Sequence, residues 1–228
     1  MQIYDKDLLS IQEVRALVSA AKKAQSELSR MSQEQVDKIV KAIADAGVRN
    51  AKRLAVMAYE DTGFGTVEDK IMKSVYESIK DMKTVGELER DDERKCRVIA
   101  VPVGIIAGLI PSTNPTSTAL YKSEIAIKAG NAIVFSPHPS AVRCITETVK
   151  LIRTAISEAG GNEDLPLEAD VPGRVDDQVV GAEVSKHRLD ELSVDVCSPN
   201  AEPIELLGVR IGIDSLEGLL VEAGRGPP

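Results

Sequence analysis

Apolar side chains recur every three or four positions in two stretches of the first fifty residues, which is the spacing of an α-helix with one buried face. Each stretch follows the S-x-x-E/Q pattern of a capping box, Ser10 with Glu13 and Ser32 with Gln35. The pattern predicts one helix that starts at Ser10 and a second that starts at Ser32 and continues through residues 50–60. The apolar residues on the two faces are Ile11, Val14, Leu17, Val18, Ala21 and Leu28, then Val36, Ile39, Val40 and Ile43.

A third helix is predicted over residues 67–85, after the glycine-rich residues 62–65 end the second. Its buried stripe consists of Ile71, Val75 and Ile79. Charged side chains then dominate residues 87–95, where only one residue is uncharged. This run predicts a solvated connection.

From Cys96 onward the pattern alternates between strand and helix. Residues 97–101, 104–110 and 132–135 are apolar and often β-branched, as in strands buried on both faces. A helix capped by Ser117 and running to residue 129 is expected between the last two strands, and residues 141–159 repeat apolar positions at helical spacing. The chain therefore predicts an α/β fold, with N-terminal helices packed on a partial parallel, Rossmann-like sheet.

Two loops rich in turn-forming residues follow two of the predicted strands. Residues 111–116 read PSTNPT and residues 136–139 read SPHP. Ligands of open parallel sheets bind beyond the carboxyl ends of the strands. We therefore expect both loops to contribute to one ligand site.

Composition excludes several classes of function. The net charge of −8 argues against nucleic acid as the partner, and the longest apolar run, near residues 98–111, is too short and too interrupted by proline to span a membrane. Three cysteines at wide spacing suit neither a disulfide framework nor zinc, and two histidines without ligand spacing predict no metal site. With no secretory signal pattern at the start, the cytoplasm is the expected location.

The charge balance changes near residue 160. Residues 161–228 carry 5 Lys and Arg against 15 Asp and Glu, whereas the preceding part carries 23 against 21 and holds all six aromatic residues. Residues 166–228 are therefore expected to form a divergent acidic tail that few large apolar side chains anchor.

The segment PVGIIAGLIPSTNPTSTALYKSEIAIKAGNAIVFSPHPSA, residues 102–141, resembles the CoA-acylating branch of the aldehyde dehydrogenase family. The upstream YEDTGFG and IKDMKTVG segments resemble it too, so the likeness covers about residues 1–165 and implies that they are the N-terminal part of the family's cofactor-binding domain. The resemblance implies an oxidoreductase that converts a short aldehyde and coenzyme A to an acyl-CoA with NAD, reversibly, through a thioester on cysteine. It also implies a homo-oligomer for the full-length family, with a bacterial microcompartment as an alternative location.

The same resemblance implies roles for residues of both loops. Asn114 matches the asparagine whose side-chain amide donates to the oxygen of the thiohemiacetal, although a turn residue before proline is the plain alternative. Neutral Ser136 stands where many relatives have a ribose-binding lysine, so NADP is not excluded. His138 could equally be a solvated turn residue, and Ile110 a buried strand end. The expected cofactor-binding residues are Ile110, Ser112 and Thr113 near the nicotinamide and Ser136, Pro137 and His138 near the adenosine ribose.

The likeness is expected to end at Pro166, which cannot donate a strand hydrogen bond. The family's nucleophilic cysteine belongs to a second domain, for which this sequence offers no match. Cys96 and Cys144 are expected to be packing residues, and acidic neighbours make Cys197 a poor nucleophile. We therefore expect the N-terminal part of an acylating aldehyde dehydrogenase, inactive alone, whether as a fragment, a frameshift product or a fusion. A non-catalytic binding or assembly module derived from that fold is the alternative.

Overall fold

The computed structural model describes residues 6–71, 75–93 and 96–169. The predicted tail from residue 170 onward, with Cys197 and His187, therefore lies outside the described residues. The elements, in chain order, are α1 (Lys6–Leu28), α2 (Gln33–Thr62), α3 (Val67–Lys70), α4 (Tyr76–Ile79), β1 (Gly86–Asp91), β2 (Cys96–Ala100), β3 (Ile105–Ile110), α5 (Pro115–Lys128), β4 (Ala132–Pro137), α6 (Val142–Ala159) and β5 (Pro166–Glu168).

A parallel three-stranded sheet in the order β3-β4-β5 confirms the predicted α/β fold. Its central strand β4 pairs with β3 from Ile105↔Ala132 to Ile110↔Pro137. Side chains of β4 alternate between two buried clusters, as a strand covered on both faces requires. Val134 joins the cluster that holds most of the α1 core residues, and Phe135 joins the cluster under α5 and α6.

The predicted capping box at Ser32 is confirmed. The N–H of Gln35 donates to Ser32 Oγ at 3.3 Å, and the N–H of Ser32 donates to Gln35 Oε1 at 2.9 Å. α2 ends at Gly63, whose φ of 66° is the left-handed conformation that glycine adopts without steric cost. The predicted start at Ser10 is wrong, because α1 already runs from Lys6 and no helix breaker precedes Ser10.

The predicted helix over residues 67–85 is also wrong. α3 stops at Lys70, Ile71 has an extended backbone, and α4 covers only Tyr76–Ile79. A tertiary contact decides the end of this region: the side-chain oxygen of Gln33 accepts the N–H groups of Thr84 and Val85 at 2.7 and 3.0 Å. Those N–H groups are thereby taken up by a side chain of another helix, outside any helical turn.

The charged run predicted as a solvated connection instead contains β1, which pairs antiparallel with β2 from Gly86↔Ala100 to Asp91↔Cys96. Val98 and Ile99 of β2 are 43% and 59% exposed, so this strand is not buried on both faces as predicted. Main-chain hydrogen bonds between β1 and β2 pair their N–H and C=O groups. Charged side chains do not oppose this pairing where both faces of the two-stranded ribbon meet solvent.

Two further element boundaries differ from the predictions. α5 begins at Pro115 with Asn114 as its N-cap, rather than at Ser117, because proline is well suited to the first helical position. Pro166 does not end the strand pattern: it is the first residue of β5, where a missing N–H is tolerated, and the N–H of Ala169 donates to Phe135 O at 3.1 Å. Within the described ranges no helix is long and apolar enough to cross a membrane.

Candidate functional site

The two predicted loops meet at the carboxyl edge of the parallel sheet. Leu109 lies opposite Ser136 and Ile110 opposite Pro137 in the β3–β4 register. One step further, the N–H of His138 donates to the carbonyl of Ile110 at 3.2 Å. Parallel pairing therefore brings the segment after β3 and the segment after β4 together, as expected from the topology.

Asn114 lies at the start of α5 with its side chain uncommitted to the helix. Its carbonyl accepts the N–H of Thr118 at 3.0 Å and the hydroxyl of Ser117 at 3.3 Å. Its side chain, however, makes no capping hydrogen bond, although asparagine is among the most favoured N-cap residues. The half-buried amide is thus not used in closing the first turn of the helix.

The residues before Asn114 differ in exposure. Ile110 is 3% exposed and packs in the same cluster as Ala58 and Phe135, which supports the plain alternative of a buried strand end for its side chain. Ser112 is half-buried and Thr113 is exposed. Their predicted contact with the nicotinamide stays a prediction.

The second loop begins buried and ends in solvent. Ser136 is 6% exposed, Pro137 is half-buried and His138 is exposed. His138 Nδ1 accepts the N–H of Ser140 at 3.2 Å and lies 2.8 Å from its hydroxyl, so the imidazole caps the 3₁₀ turn Pro139–Ala141. This contact supports the turn-residue interpretation of His138, and the ribose contact stays a prediction.

Two lysines that the sequence pattern does not single out hold the first loop and the strand before it. Lys70 Nζ donates to the carbonyl of Thr113 at 2.6 Å, and Lys122 Nζ donates to the carbonyl of Leu109 at 2.7 Å. Burial lowers the pKa of both ammonium groups, since desolvation disfavours the charged form. Neither lysine carries a local sequence signal, because each has the spacing of an ordinary solvated position on a helix.

The start of α6 is fixed from α2. Asp61 accepts the main-chain N–H of Cys144 at 2.8 Å and the Arg143 Nε–H at 2.7 Å. Glu60 makes a more exposed ion pair with Arg143 at 2.9 Å. These contacts anchor the helix that follows the second loop.

Cys144 is a core residue, as predicted. Its side chain is fully buried, and its thiol donates to the carbonyl of Ala141 at 3.2 Å. Burial, assisted by the nearby Asp61 carboxylate, raises the pKa of the thiol to about 12, so the thiolate needed for nucleophilic attack is suppressed at neutral pH. Nothing is described for the Cys96 side chain. Across residues 6–71, 75–93 and 96–169 no group of His, Cys, Asp and Glu could hold a metal ion.

The polar groups at the two loops fit a dinucleotide cofactor in their chemistry. Hydroxyl groups of Ser112, Thr113 and Ser136 can bind ribose or amide groups, and neither PSTNPT nor SPHP contains a lysine or arginine. The neighbouring ammonium groups of Lys70 and Lys122 already bind main-chain carbonyls, that of Thr113 in the first loop and that of Leu109 in β3. This donor set suits an uncharged ribose hydroxyl better than an additional phosphate.

Comparison with known proteins adds independent information. The aldehyde dehydrogenase family model matches residues 3–186, so the prediction that the likeness ends at Pro166 is wrong. The bifunctional aldehyde-alcohol dehydrogenase AdhE of Escherichia coli K12 is 44% identical over 162 residues, which cover 68% of this chain and 18% of that protein. The succinate-semialdehyde dehydrogenase (acetylating) of Clostridium kluyveri is 36% identical over 167 residues, which cover 71% of this chain and 37% of that protein.

Solved structures are similar over the same part. An acetylating aldehyde dehydrogenase from Geobacillus thermoglucosidasius is 49% identical with a TM-score of 0.74, covering 82% of this chain and 42% of that one. A propionaldehyde dehydrogenase of a Clostridium phytofermentans microcompartment is 31% identical with a TM-score of 0.60, covering 72% and 38%. The chain therefore spans less than half the length of each of these relatives.

Proposed function

We propose that this chain, which belongs to the aldehyde dehydrogenase family, supplies the cofactor half-site of a CoA-acylating aldehyde dehydrogenase. The resemblance to acylating aldehyde dehydrogenases, predicted from residues 102–141, is confirmed. The relatives of this chain include acetylating enzymes. In the reaction proposed for the complete site, NAD oxidises a short aldehyde in the presence of coenzyme A, giving an acyl-CoA, NADH and a proton, and the reaction is reversible.

The observation that carries this proposal is the hydrogen bond from the His138 N–H to the Ile110 carbonyl, which joins the SPHP loop to the strand end directly before PSTNPT. This contact makes the two loops neighbours along one edge of the sheet. The residues proposed to face the nicotinamide and those proposed to face the adenosine ribose thus belong to one continuous edge. Ser112 and Thr113 would bind the cofactor at one end of this edge, and Ser136 and His138 at the other. When bound, NAD supplies the hydride acceptor.

Asn114 is the one residue of this chain to which we assign a catalytic role. An amide N–H aimed at an oxygen that gains negative charge stabilises the transition state more than the ground state. The half-buried Asn114 side chain suits this role because its oxygen takes no part in capping α5, so the helix start does not fix the orientation of the amide group. The cysteine that would attack the aldehyde is proposed to lie in the part of the relatives that this chain does not match.

NAD is the cofactor we propose over NADP. A 2′-phosphate is usually bound by arginine or lysine, and SPHP offers neither. Titration of the ¹⁵N-labelled chain with each nucleotide tests this. NAD is expected to shift the amide signals of Ser112, Thr113, Ser136 and His138 at lower concentration than NADP does. Shifts confined to other parts of the chain, or a preference for NADP, would contradict the proposal.

We expect no turnover by the isolated chain. Catalytic groups that act together give almost no rate enhancement when one of them, here the nucleophilic cysteine, is missing. The measurement is NADH formation from acetaldehyde and coenzyme A, with the purified chain and its Cys197→Ala and Asn114→Ala variants. Turnover that is lost on replacing Cys197 would show that the chain carries its own nucleophile. Turnover unaffected by either change would indicate a contaminating enzyme.

An assembly role is the second candidate, and the β1–β2 hairpin favours it. A two-stranded ribbon is at most marginally stable alone, and this one leaves Ile99 59% exposed, with Val101 just beyond it 75% exposed. We propose that a second copy of the chain covers this ribbon in a homo-oligomer. Light scattering should then show an oligomer that Ile99→Lys dissociates, whereas the same substitution at Val48, exposed on α2, leaves it intact. A monomeric wild-type chain would contradict the assembly role.

A further inference from the structure

The ammonium group of Lys70 is buried against the loop that carries Asn114. Lys70 is only 6% exposed, and its Nζ donates to the carbonyl oxygen of Thr113 at 2.6 Å, across 43 positions of sequence. This carbonyl belongs to the peptide group whose N–H is that of Asn114. The contact therefore acts on the main chain next to the proposed oxyanion donor.

The short helix α3, which ends at Lys70, places this lysine beside the loop. Thr66 caps the short helix α3 by accepting the N–H of Asp69 at 3.2 Å, and it also donates its hydroxyl to the Asp69 carboxylate at 2.8 Å. The helix ends at once, because Ile71 takes an extended conformation with φ −65° and ψ 110°. Lys70 is thus the last residue of a rigid turn, and its long side chain crosses to the loop.

Burial of an ammonium group is unfavourable unless hydrogen bonds replace water. Desolvation accordingly lowers the pKa of Lys70. An apolar side chain of similar volume, such as methionine, would fill the same space without this penalty. The charged group is therefore explained by what it binds, the Thr113 carbonyl, rather than by the space it fills.

Asn114 has a fixed peptide group on each side. On the C-terminal side its own carbonyl accepts the Thr118 N–H at 3.0 Å and the Ser117 hydroxyl at 3.3 Å. On the N-terminal side the preceding peptide is held by Lys70. Holding both peptide planes sets φ and ψ of Asn114 and hence the direction of its Cα–Cβ bond. A misplacement of about 1 Å in such a group can cost about a hundredfold in rate.

We infer that Lys70 is a positioning residue that orients the Asn114 amide by fixing the Thr113 carbonyl. The meaning of this orientation for catalysis rests on the proposed function. The coupling between Lys70 and Asn114 is a property of the chain without ligand, so it can be tested even if the cofactor does not bind.

Lys122 provides a matched comparison. It makes the same kind of bond to the Leu109 carbonyl, at 2.7 Å, but that residue lies within β3 and is also held by pairing with β4. Loss of the Lys122 ammonium should therefore change the Leu109 carbonyl and leave the peptide before Asn114 in place.

The test is nuclear magnetic resonance of the ¹³C,¹⁵N-labelled full chain. In Lys70→Met the Thr113 carbonyl signal is expected to move upfield, as on loss of a hydrogen bond. The backbone order parameter of Asn114 should fall from about 0.85, typical of rigid backbone, toward about 0.6. Lys70→Arg should retain most of both values, and Lys122→Met should shift only the Leu109 carbonyl.

A Lys70→Met chain that keeps its native spectrum, including unchanged Thr113 and Asn114 signals, would overturn the inference. Should that variant fail to fold, the wild-type chain decides by pH titration. The Thr113 carbonyl is expected to titrate at a lower pH than the signals of exposed Lys41, and a Thr113 signal that does not titrate would overturn the inference. Absence of NAD-induced shifts in the wild-type chain would count against the proposed function alone.

Discussion

The carboxylate of Asp61 accepts the main-chain N–H of Cys144 at 2.8 Å, joining the end of α2 to the start of α6 across 83 positions of sequence. The Asp61 side chain is only 9% exposed, and it also pairs with Arg143. A negative charge at a helix N-terminus binds free N–H groups and interacts favourably with the helix dipole. This contact holds in place the helix that follows the SPHP loop.

Asp61→Ala is therefore expected to lower the free energy of unfolding by about 1.5–3 kcal/mol, the usual loss for a hydrogen bond to a charged group. Glu60→Ala is the matched control, because Glu60 pairs with the same Arg143 but is 55% exposed, and it should cost less than about 1 kcal/mol. Urea unfolding followed by circular dichroism measures both. Equal losses for the two variants would contradict the assigned role of Asp61.

Close packing at Gly108 leads to a second prediction. A Cβ added there would lie 2.7 Å from Phe135 Cδ1 and 2.9 Å from Ile133 Cδ1, on the neighbouring strand. Gly108→Ala should therefore destabilise the chain by about 1–3 kcal/mol through overpacking. In a Phe135→Leu background the same change should cost less, and a double-mutant cycle measures the difference. Strictly additive effects would show that the ring does not limit the space.

The buried thiol of Cys144 predicts a pH dependence of stability. Its pKa is raised to about 12 in the folded chain, against about 8.5 when unfolded. The folded chain thus keeps the thiol proton to a higher pH than the unfolded chain does. The contribution of the protonated thiol to the free energy of unfolding is therefore complete below about pH 8.5 and is lost as the pH rises toward 12. Between pH 7.5 and 9.5 the wild-type chain should lose about 1 kcal/mol more than Cys144→Ala does. Urea unfolding at the two pH values measures this difference. An equal loss of unfolding free energy in the wild-type chain and in Cys144→Ala would refute the prediction.

Asn114 is expected to be nearly neutral for stability. Because its side chain makes no capping hydrogen bond, Asn114→Ala should change the free energy of unfolding by less than about 0.5 kcal/mol. Ser32→Ala is the matched comparison, since Ser32 caps α2 through a complete capping box and should cost about 1 kcal/mol. A large loss at Asn114 would indicate a structural role in place of the proposed catalytic one.

Short-range chemistry made several features predictable from the sequence. Ser32 and Gln35 form a complete capping box at the start of α2, and Gly63 and Gly130 adopt positive φ because other residues do so at a cost. The buried strand after Gly130 and the helix beyond SPHP likewise follow from apolar periodicity. These signals, with the order of strands and helices, were sufficient to predict a parallel sheet with PSTNPT and SPHP at one edge.

Tertiary contacts decided what the sequence left undetermined. Gln33 takes up the N–H groups of residues 84 and 85, and main-chain pairing turns a charged run into β1, although local composition predicts a helix and a solvated connection. Lys70 shows the same for the site: its position resembles that of a solvated lysine, yet the fold buries it against the Thr113 carbonyl, 43 residues away. Hydrogen bonds between distant segments depend on where the packed core brings the main chain, and no local pattern of residues encodes that distance.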